Sequence, residues 1–523
     1  MKRNPLNQID FYKADHRRQY PDGTSLVYSN FTPRSDKFAN VLEDFDHQAV
    51  FFGLQSFIKE ELIELWQDGF FNKEKEDVVR RYKRRMDNAL GKDAISVEHI
   101  EALHDLGYLP LHIKALDEGE RVPIGVPPVT IVNTDPRFFW LTNYLESVMS
   151  NYIWKPMVSA TTAFEYKRLL TEHAIKTGTD LGFVQIQGHD FSFRGMSGPE
   201  DAARSGAAHL TSFSGTDTVS AIDFVEDYYG ANSDLEIVGG SVPATEHSVM
   251  SMGTQENELG TFRRLINEVY PSGVISIVSD TWDFWQVVTT YASALKDDIL
   301  KRDGKVVLRP DSGDPVKIIC GDPTAEPGSP EFKGAVECLW ETFGGSTTST
   351  GYKLLDPHIG LIYGDSITLP RAKAILEGLE AKGFASGNVV FGIGSFTYQF
   401  VTRDSLGLAM KATAGAVNDE RREIFKRPKT DDGTKFSLRG LIRVEHENGR
   451  YVAYDRQTPE QEKQGLLKSV FLNGKLIRQQ TLQNIRERLQ QTANELFMQR
   501  GYGAPHSPRD IGPSMAKLYP EVR

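Results

Sequence analysis

Cysteine is nearly absent from this chain. Cys320 and Cys338 are the only two in 523 residues, and neither lies in a CxxC or a Cys/His cluster. That excludes a disulfide framework and argues against a structural zinc site, and it fits a reducing compartment. Long apolar runs are missing too. No stretch approaches the ~20 apolar residues that span a bilayer, and no apolar segment follows Lys2 and Arg3 as a secretory leader would require. The expected location is the cytoplasm, without a membrane partner. An excess of positive charge is also lacking: the formal net charge is −11. A nucleic-acid partner, which needs a basic footprint, is not expected. Any anionic substrate then needs a local cationic pocket.

Several familiar catalytic signatures are absent as well. There is no GxxxxGK[ST] phosphate loop, no HExxH, no GxSxG and no complete GxGxxG after a strand. The string Asp431-Asp432-Gly433-Thr434 looks like a ribose-phosphate loop, but it follows charged residues rather than an apolar strand.

What is present is ordinary globular composition, 39% apolar and 25% charged, in a chain long enough for more than one core. Residues 50–66 and 140–153 have helical apolar spacing, and 109–133 reads as strands and turns. From about residue 181, short apolar runs recur: 183–186, 235–238, 274–278, 305–308, 360–363 and 388–391. Helical stretches such as 369–382 separate them, which implies parallel βαβ units.

The polar positions that follow along the chain are informative: Asp190, Asp217, His247, Asp280, Asp311, Asp365 and Gly394. Most are separated by about 30 residues, one βαβ step. The interval before Asp365 is longer and contains 321–350, rich in Gly, Pro, Ser and Thr, which reads as an inserted loop. The expected fold is α/β: an irregular (β/α) barrel of about seven parallel strands over 181–400. An α+β domain from 1–180 would be completed by 401–523. Within that last part, 418–435 reads as an irregular or mobile surface segment, 452–477 as strands and 481–500 as a helix.

Barrel chemistry gathers at the C-terminal strand ends. There the sequence places HDFSFRG (189–195), GTDT (215–218), VPATEHS (242–248), Ser279-Asp280, RPDSG (309–313), Gly364-Asp365 and Gly392-Ile393-Gly394-Ser395. Arg194 and Arg309 can bind phosphate oxygens bidentately. Nearby acids can hold ribose hydroxyls or Mg²⁺. Backbone N–H groups at Gly394 can approach a phosphate, and Phe191 can stack on a flat ring. These parts suit a phosphorylated sugar and a planar base.

Taken in order, these segments resemble the nicotinamide phosphoribosyltransferase family, of the type II phosphoribosyltransferases. The resemblance extends to DFYK (10–13), QYP (19–21), VYS (27–29) and VTRD (401–404). It implies a homodimer that joins nicotinamide to 5-phosphoribosyl 1-pyrophosphate, with Mg²⁺ and with ATP as co-substrate. Phe191 and a partner-donated Tyr12 would sandwich the base, and Asp217 would accept from its amide. Arg309 and Asp311 would lie beside ring and ribose, with Gly364 and Asp365 at the ribose hydroxyls. Gly394, Ser395 and Arg403 would cradle the 5-phosphate, with Arg34 and Lys411 as further phosphate contacts. Arg194 and His247 would lie near pyrophosphate. His247 would be phosphorylated by ATP, with Lys426 and Lys429 nearby. Asp280 would orient His247 or bind the metal. The chain departs from the family's longer glycine run at Gly394-Ser395-Phe396, and in the length of 321–350.

Plainer readings exist for single residues. Asp280 could cap a helix, Arg309 could be a salt-bridge partner of Asp311, one of Phe191 and Phe193 could pack in the core, Tyr12 could be a surface aromatic, and Lys426 and Lys429 could be solvated charges. The alternative activity is nicotinate phosphoribosyl transfer. An aldolase or isomerase on a sugar phosphate and a non-catalytic barrel are remoter readings. Asp217 favours nicotinamide, since a carboxylate accepts from an amide but repels the carboxylate of nicotinate.

Overall fold

The computed structural model describes residues 3–426 and 438–502. Two sheets organise them. The first is antiparallel throughout and has seven strands, in the order Glu420–Glu423, Ala409–Val417, Thr24–Thr32, Val129–Asn133, Leu111–Ala115, Lys468–Leu472 and Lys475–Leu476. Strands from both ends of the chain thus share one ladder. In Leu111–Ala115 the alternation is visible residue by residue. Leu111, Ile113 and Ala115 are buried, while Lys114 points away to pair with Glu462 at 2.7 Å.

The second sheet is parallel, with the order Gly215–Thr216, Gly188–Asp190, Val389–Ile393, Ile359–Tyr363, Asp303–Arg309 and Ser272–Val278. Its two edge strands are both touched by one short segment: Gly240 bridges to Gly215 and Ala244 bridges to Ser276, each in parallel sense. The helix Glu146–Thr177 joins the two sheets. Its first half (Met149, Ile153, Met157) packs in the core of the antiparallel sheet, and its second half (Ala163, Tyr166, Leu170) in that of the parallel sheet.

Four of the six apolar runs contribute strands as read. Two do not. Residues 183–186 lie in the helical turns Leu181–Phe183 and Val184–Gln187, and the strand begins after them at Gly188. Residues 235–238 form turns, and Leu235 is 80% exposed. The parallel sheet therefore has six regular strands, not seven. The expected loop at 321–350 is also corrected. It holds the helices Pro330–Lys333 and Ala335–Phe343 and the strand Gly345–Thr347, and Val336, Cys338 and Leu339 are buried in the core. Both cysteines are unpaired, and burial pushes their thiols up, to about 12 for Cys320 and about 11 for Cys338. They are protonated and inert.

Near the C-terminus, 418–435 is not wholly irregular, because Glu420–Glu423 is the edge strand of the antiparallel sheet. Residues 452–477 include the helix Pro459–Lys463. The helix Leu482–Gln499 is capped by Thr481 and buries Leu482, Ile485, Leu489, Ala493 and Phe497. No described helix is long and apolar enough to cross a membrane.

Candidate active site

Parallel strands all deliver their C-terminal ends to one side, so residues far apart in sequence meet there. Asp217 follows the strand Gly215–Thr216. Its Oδ1 accepts a hydrogen bond from Nε2 of His189 at 2.8 Å and another from the Ser241 hydroxyl. Burial pushes the Asp217 carboxyl up, but these two bonds and the charges of His189 and Arg309 outweigh it and hold the group below its ordinary value. Its side chain is 44% exposed, so the carboxylate stands open at the strand ends.

Phe191 packs against the same histidine. Its ring centroid is 4.8 Å from that of His189, and its backbone N–H donates to the Ile393 carbonyl at 2.9 Å. The ring lies flush against Gly392, where a Cβ would come within 2.5 Å of Phe191 Cδ2. Neither aromatic of the pair sits in the core. Phe191 is half-buried at the strand ends, and Phe193 is exposed.

Arg309 ends the strand Asp303–Arg309. Its Nη2 donates to the Thr245 carbonyl at 2.8 Å, and its Nε lies 3.4 Å from Oδ1 of Asp311. At that distance they form an ion pair rather than a hydrogen bond, so Arg309 Nε and Asp311 Oδ1 are both buried without a hydrogen-bond partner. Burial pushes the Asp311 carboxyl above its ordinary value. The Arg309 charge opposes that, and the Asp280 and Asp365 charges add to it. Gly364 packs on the same acid, since a Cβ there would meet Asp311 Oδ1 at 2.2 Å. Asp365 is exposed, and the next residue, Ser366, has a φ of +53°, a strained backbone at the strand end.

His247 opens the helix His247–Met252, and its Nε2 lies 3.1 Å from Oδ1 of Asp280. The other oxygen of Asp280 accepts from the Asp311 N–H at 3.0 Å and from the Ser312 hydroxyl. Burial raises Asp280, but those donors and His247 override it, and the group is held below its ordinary value. It does not cap a helix. Donor atoms of His247, Asp280 and Asp311 all lie within 4.8 Å of one another, close enough to share a cation. Asp311 fits Mg²⁺ better than Asp280 does, because its Oδ1 has no hydrogen-bond partner while both oxygens of Asp280 accept hydrogen bonds.

Gly394 is the N-cap of the short helix Ser395–Tyr398. Ser395 meets Gly195, where a Cβ would lie 2.5 Å from that of Ser395, so the exposed Arg194 is held next to this turn. A second group of cations lies on the antiparallel sheet and its approach. The Arg34 Nε donates to the Gly407 carbonyl at 3.0 Å. Burial lowers Arg34, and the neighbouring Arg403 charge lowers it further. Burial also lowers Lys411, and although Glu146 raises it, the charges of Arg34, Lys426 and Lys13 lower it again. Arg34, Arg403, Lys411 and Lys426 therefore share one field. Lys429 lies outside the described residues. Tyr12 is 59% exposed. Its ring meets His16 at 5.0 Å, and among the described contacts it has none with Phe191.

The strand ends thus bring together Asp217, Phe191, Arg309, Asp311, Asp280, His247, Gly364 and Asp365. Sequence reasoning missed the roles of His189, Ser241, Ser312 and the Thr245 carbonyl. His189, Thr245 and Ser312 all lie within the strand-end segments singled out in the sequence, and Ser241 directly precedes one of them, so position was the available signal.

Residues 186–475 match the nicotinate phosphoribosyltransferase (NAPRTase) family. The chain is 63% identical over 494 residues to a nicotinamide phosphoribosyltransferase of Acinetobacter baylyi, covering 93% of this chain and 97% of that one. It is 34% identical to a protein of the same name from Mycoplasma pneumoniae, covering 84% and 96%. The fold is similar to that of a nicotinate-nucleotide pyrophosphorylase from Pyrococcus furiosus (TM-score 0.54, 15% identity, 93% and 95% covered) and of human nicotinic acid phosphoribosyltransferase (TM-score 0.51, 16% identity, 92% and 93% covered). The chain belongs to the nicotinate phosphoribosyltransferase family.

Proposed function

We propose that the protein is a nicotinamide phosphoribosyltransferase, a pentosyltransferase of NAD biosynthesis. It would join nicotinamide to 5-phosphoribosyl 1-pyrophosphate and release nicotinamide mononucleotide and pyrophosphate. The names of its relatives support the reaction. The observation that carries the choice of base is Asp217: an ionised carboxylate, joined through His189 to the Phe191 ring, accepts from a carboxamide and repels nicotinate.

The pyridine nitrogen attacks C1 of the ribose as the bond to pyrophosphate breaks, through an oxocarbenium-like transition state. Phe191 holds the ring, Asp217 its amide, and Asp311 and Asp365 the ribose hydroxyls. Arg309 lies beside the ring and ribose, Arg194 offsets charge on the departing pyrophosphate near His247, and Gly394, Ser395 and Arg403 hold the 5-phosphate. Most of the catalysis is positioning and electrostatics. Asp311 would hold Mg²⁺, which would supply further charge neutralisation.

The same reading makes the protein a cytoplasmic homodimer. The partner subunit would supply Tyr12 to the base, and Arg34 and Lys411 would be phosphate contacts at the shared edge. The segment Gly240–Ala244 would complete a seven-part ring with the six parallel strands. ATP would phosphorylate His247, with Lys426 near the nucleotide. The test is incubation with nicotinamide, 5-phosphoribosyl 1-pyrophosphate and Mg²⁺, with and without ATP. Nicotinamide mononucleotide is the expected product, and its absence under both conditions refutes the reading.

A further inference from the structure

A solvent-accessible carboxylate does not by itself select a base. It rotates about χ2 and can turn either oxygen, or neither, toward a ligand. In this site both donors to Asp217 reach the same oxygen, Oδ1: His189 Nε2 at 2.8 Å and the Ser241 hydroxyl. They come from different segments of the chain. His189 is on the strand Gly188–Asp190, and Ser241 lies in the segment that bridges the two sheet edges. Two donors on one oxygen restrain the carboxylate more than one donor alone would, leaving Oδ2 as the oxygen for a ligand.

The backbone is shaped to let His189 do this. His189 and Gly215 are register partners on neighbouring strands. A Cβ on Gly215 would come within 2.8 Å of His189 Nδ1, so only a bare backbone lets the imidazole lie across that strand and reach Asp217. Behind it, the buried His209 holds the Gly215 carbonyl from Nε2 at 3.0 Å and meets the Tyr398 hydroxyl from Nδ1 at 2.6 Å, which anchors the strand itself. The His189 ring also contacts Phe191. One imidazole therefore touches both the acid and the aromatic of the base site.

We infer that His189 and Ser241 are the positioning residues of base recognition: they lock the Asp217 carboxylate so that Oδ2 is presented to the carboxamide NH₂ of nicotinamide. This rests on the reading of Asp217 as the amide acceptor. A purely structural ion pair would serve to satisfy a buried acid, but the Asp217 side chain is 44% exposed and water would satisfy it.

The test separates binding of the two substrates. His189→Leu is expected to raise KM for nicotinamide by about tenfold, the loss of one charge-assisted bond, while KM for 5-phosphoribosyl 1-pyrophosphate stays within about twofold by the same standard. His189→Gln, whose amide can still donate, should recover part of the loss, and Ser241→Ala should show a smaller rise of the same kind. Equal rises in both KM values, or no change in either, overturn the inference. ¹⁵N-resolved NMR of the wild-type holds independently of catalysis. It should show a hydrogen-bonded Nε2–H on His189 that shifts in Asp217→Asn. If the wild type makes no nicotinamide mononucleotide, the functional reading falls, and this resonance alone decides the positioning claim; an Nε2–H indifferent to Asp217→Asn overturns it.

Discussion

Asp280 spans two strand-end segments at once: one oxygen meets His247 Nε2 at 3.1 Å and the other accepts the backbone N–H of Asp311 at 3.0 Å. The acid is nearly buried, with a side chain 5% exposed, while His247 is 49% exposed. Such a contact fixes one imidazole nitrogen and leaves Nδ1 as the nitrogen that can react. His247→Ala is therefore expected to abolish any ATP-dependent increase in nicotinamide mononucleotide formation while the ATP-independent reaction persists. Asp280→Asn should weaken both by at least about tenfold, ~1.4 kcal/mol, because it also disturbs the Asp311 loop. Product yields with and without ATP check both variants.

Asp217→Ser removes the negative charge at the proposed base site. The expected outcome is loss of the preference for nicotinamide over nicotinate. Competition kinetics with both bases measure the ratio, and an unchanged ratio means that another group selects the base.

Gly392 and Gly364 are places where a single methyl group tests the packing. In Gly392→Ala the new Cβ would lie 2.5 Å from Phe191 Cδ2 and 2.8 Å from the Tyr363 carbonyl oxygen. Phe191 must move, at a cost of about 1–3 kcal/mol of stability. KM for nicotinamide should rise more than KM for the phosphosugar. Gly364→Ala would collide with Asp311 Oδ1 and should lower kcat instead. Steady-state kinetics and thermal melts of the two variants distinguish these effects.

Lys167 titrates unusually low for a lysine. Burial, with Arg486 adding to it, pushes its ammonium down from 10.5 to about 7. Its Nζ donates to Gln185 Oε1 at 2.7 Å and to the Ser212 carbonyl at 2.6 Å. Between pH 7 and 10.5 the folded chain binds fewer protons here than the unfolded chain, so this site adds stability as pH rises, by at most about 1.4 kcal/mol per unit. Denaturant melts at pH 7, 8 and 9 should show this gain in the wild type relative to Lys167→Met. Parallel pH profiles of the two proteins would contradict it.

Strands such as Val389–Ile393 and Ser272–Val278 were legible because a parallel strand covered on both faces reads as a continuous β-branched run. The strands Gly188–Asp190 and Gly215–Thr216 were not. They have three and two residues, rich in glycine and polar groups, and their apolar neighbours at 183–186 fold as helical turns. The exposed Leu235 made a turn look like a strand. At the site, Asp217, Arg309 and Asp311 were legible because the residue type and the strand-end position agree. The pairing of His189 with Asp217 was not, because it depends on the register of neighbouring strands. The same holds for Arg34 and Arg403, which meet only because the two ends of the chain share a sheet.

The most direct test of a single substrate-binding mouth is a crystal structure with nicotinamide mononucleotide and pyrophosphate bound. The account predicts the pyridine ring against Phe191, its carboxamide nitrogen within hydrogen-bond distance of Asp217, and the 5-phosphate at Gly394 and Ser395. A ring bound away from Asp217, or a phosphate on a different face of the parallel sheet, would contradict it.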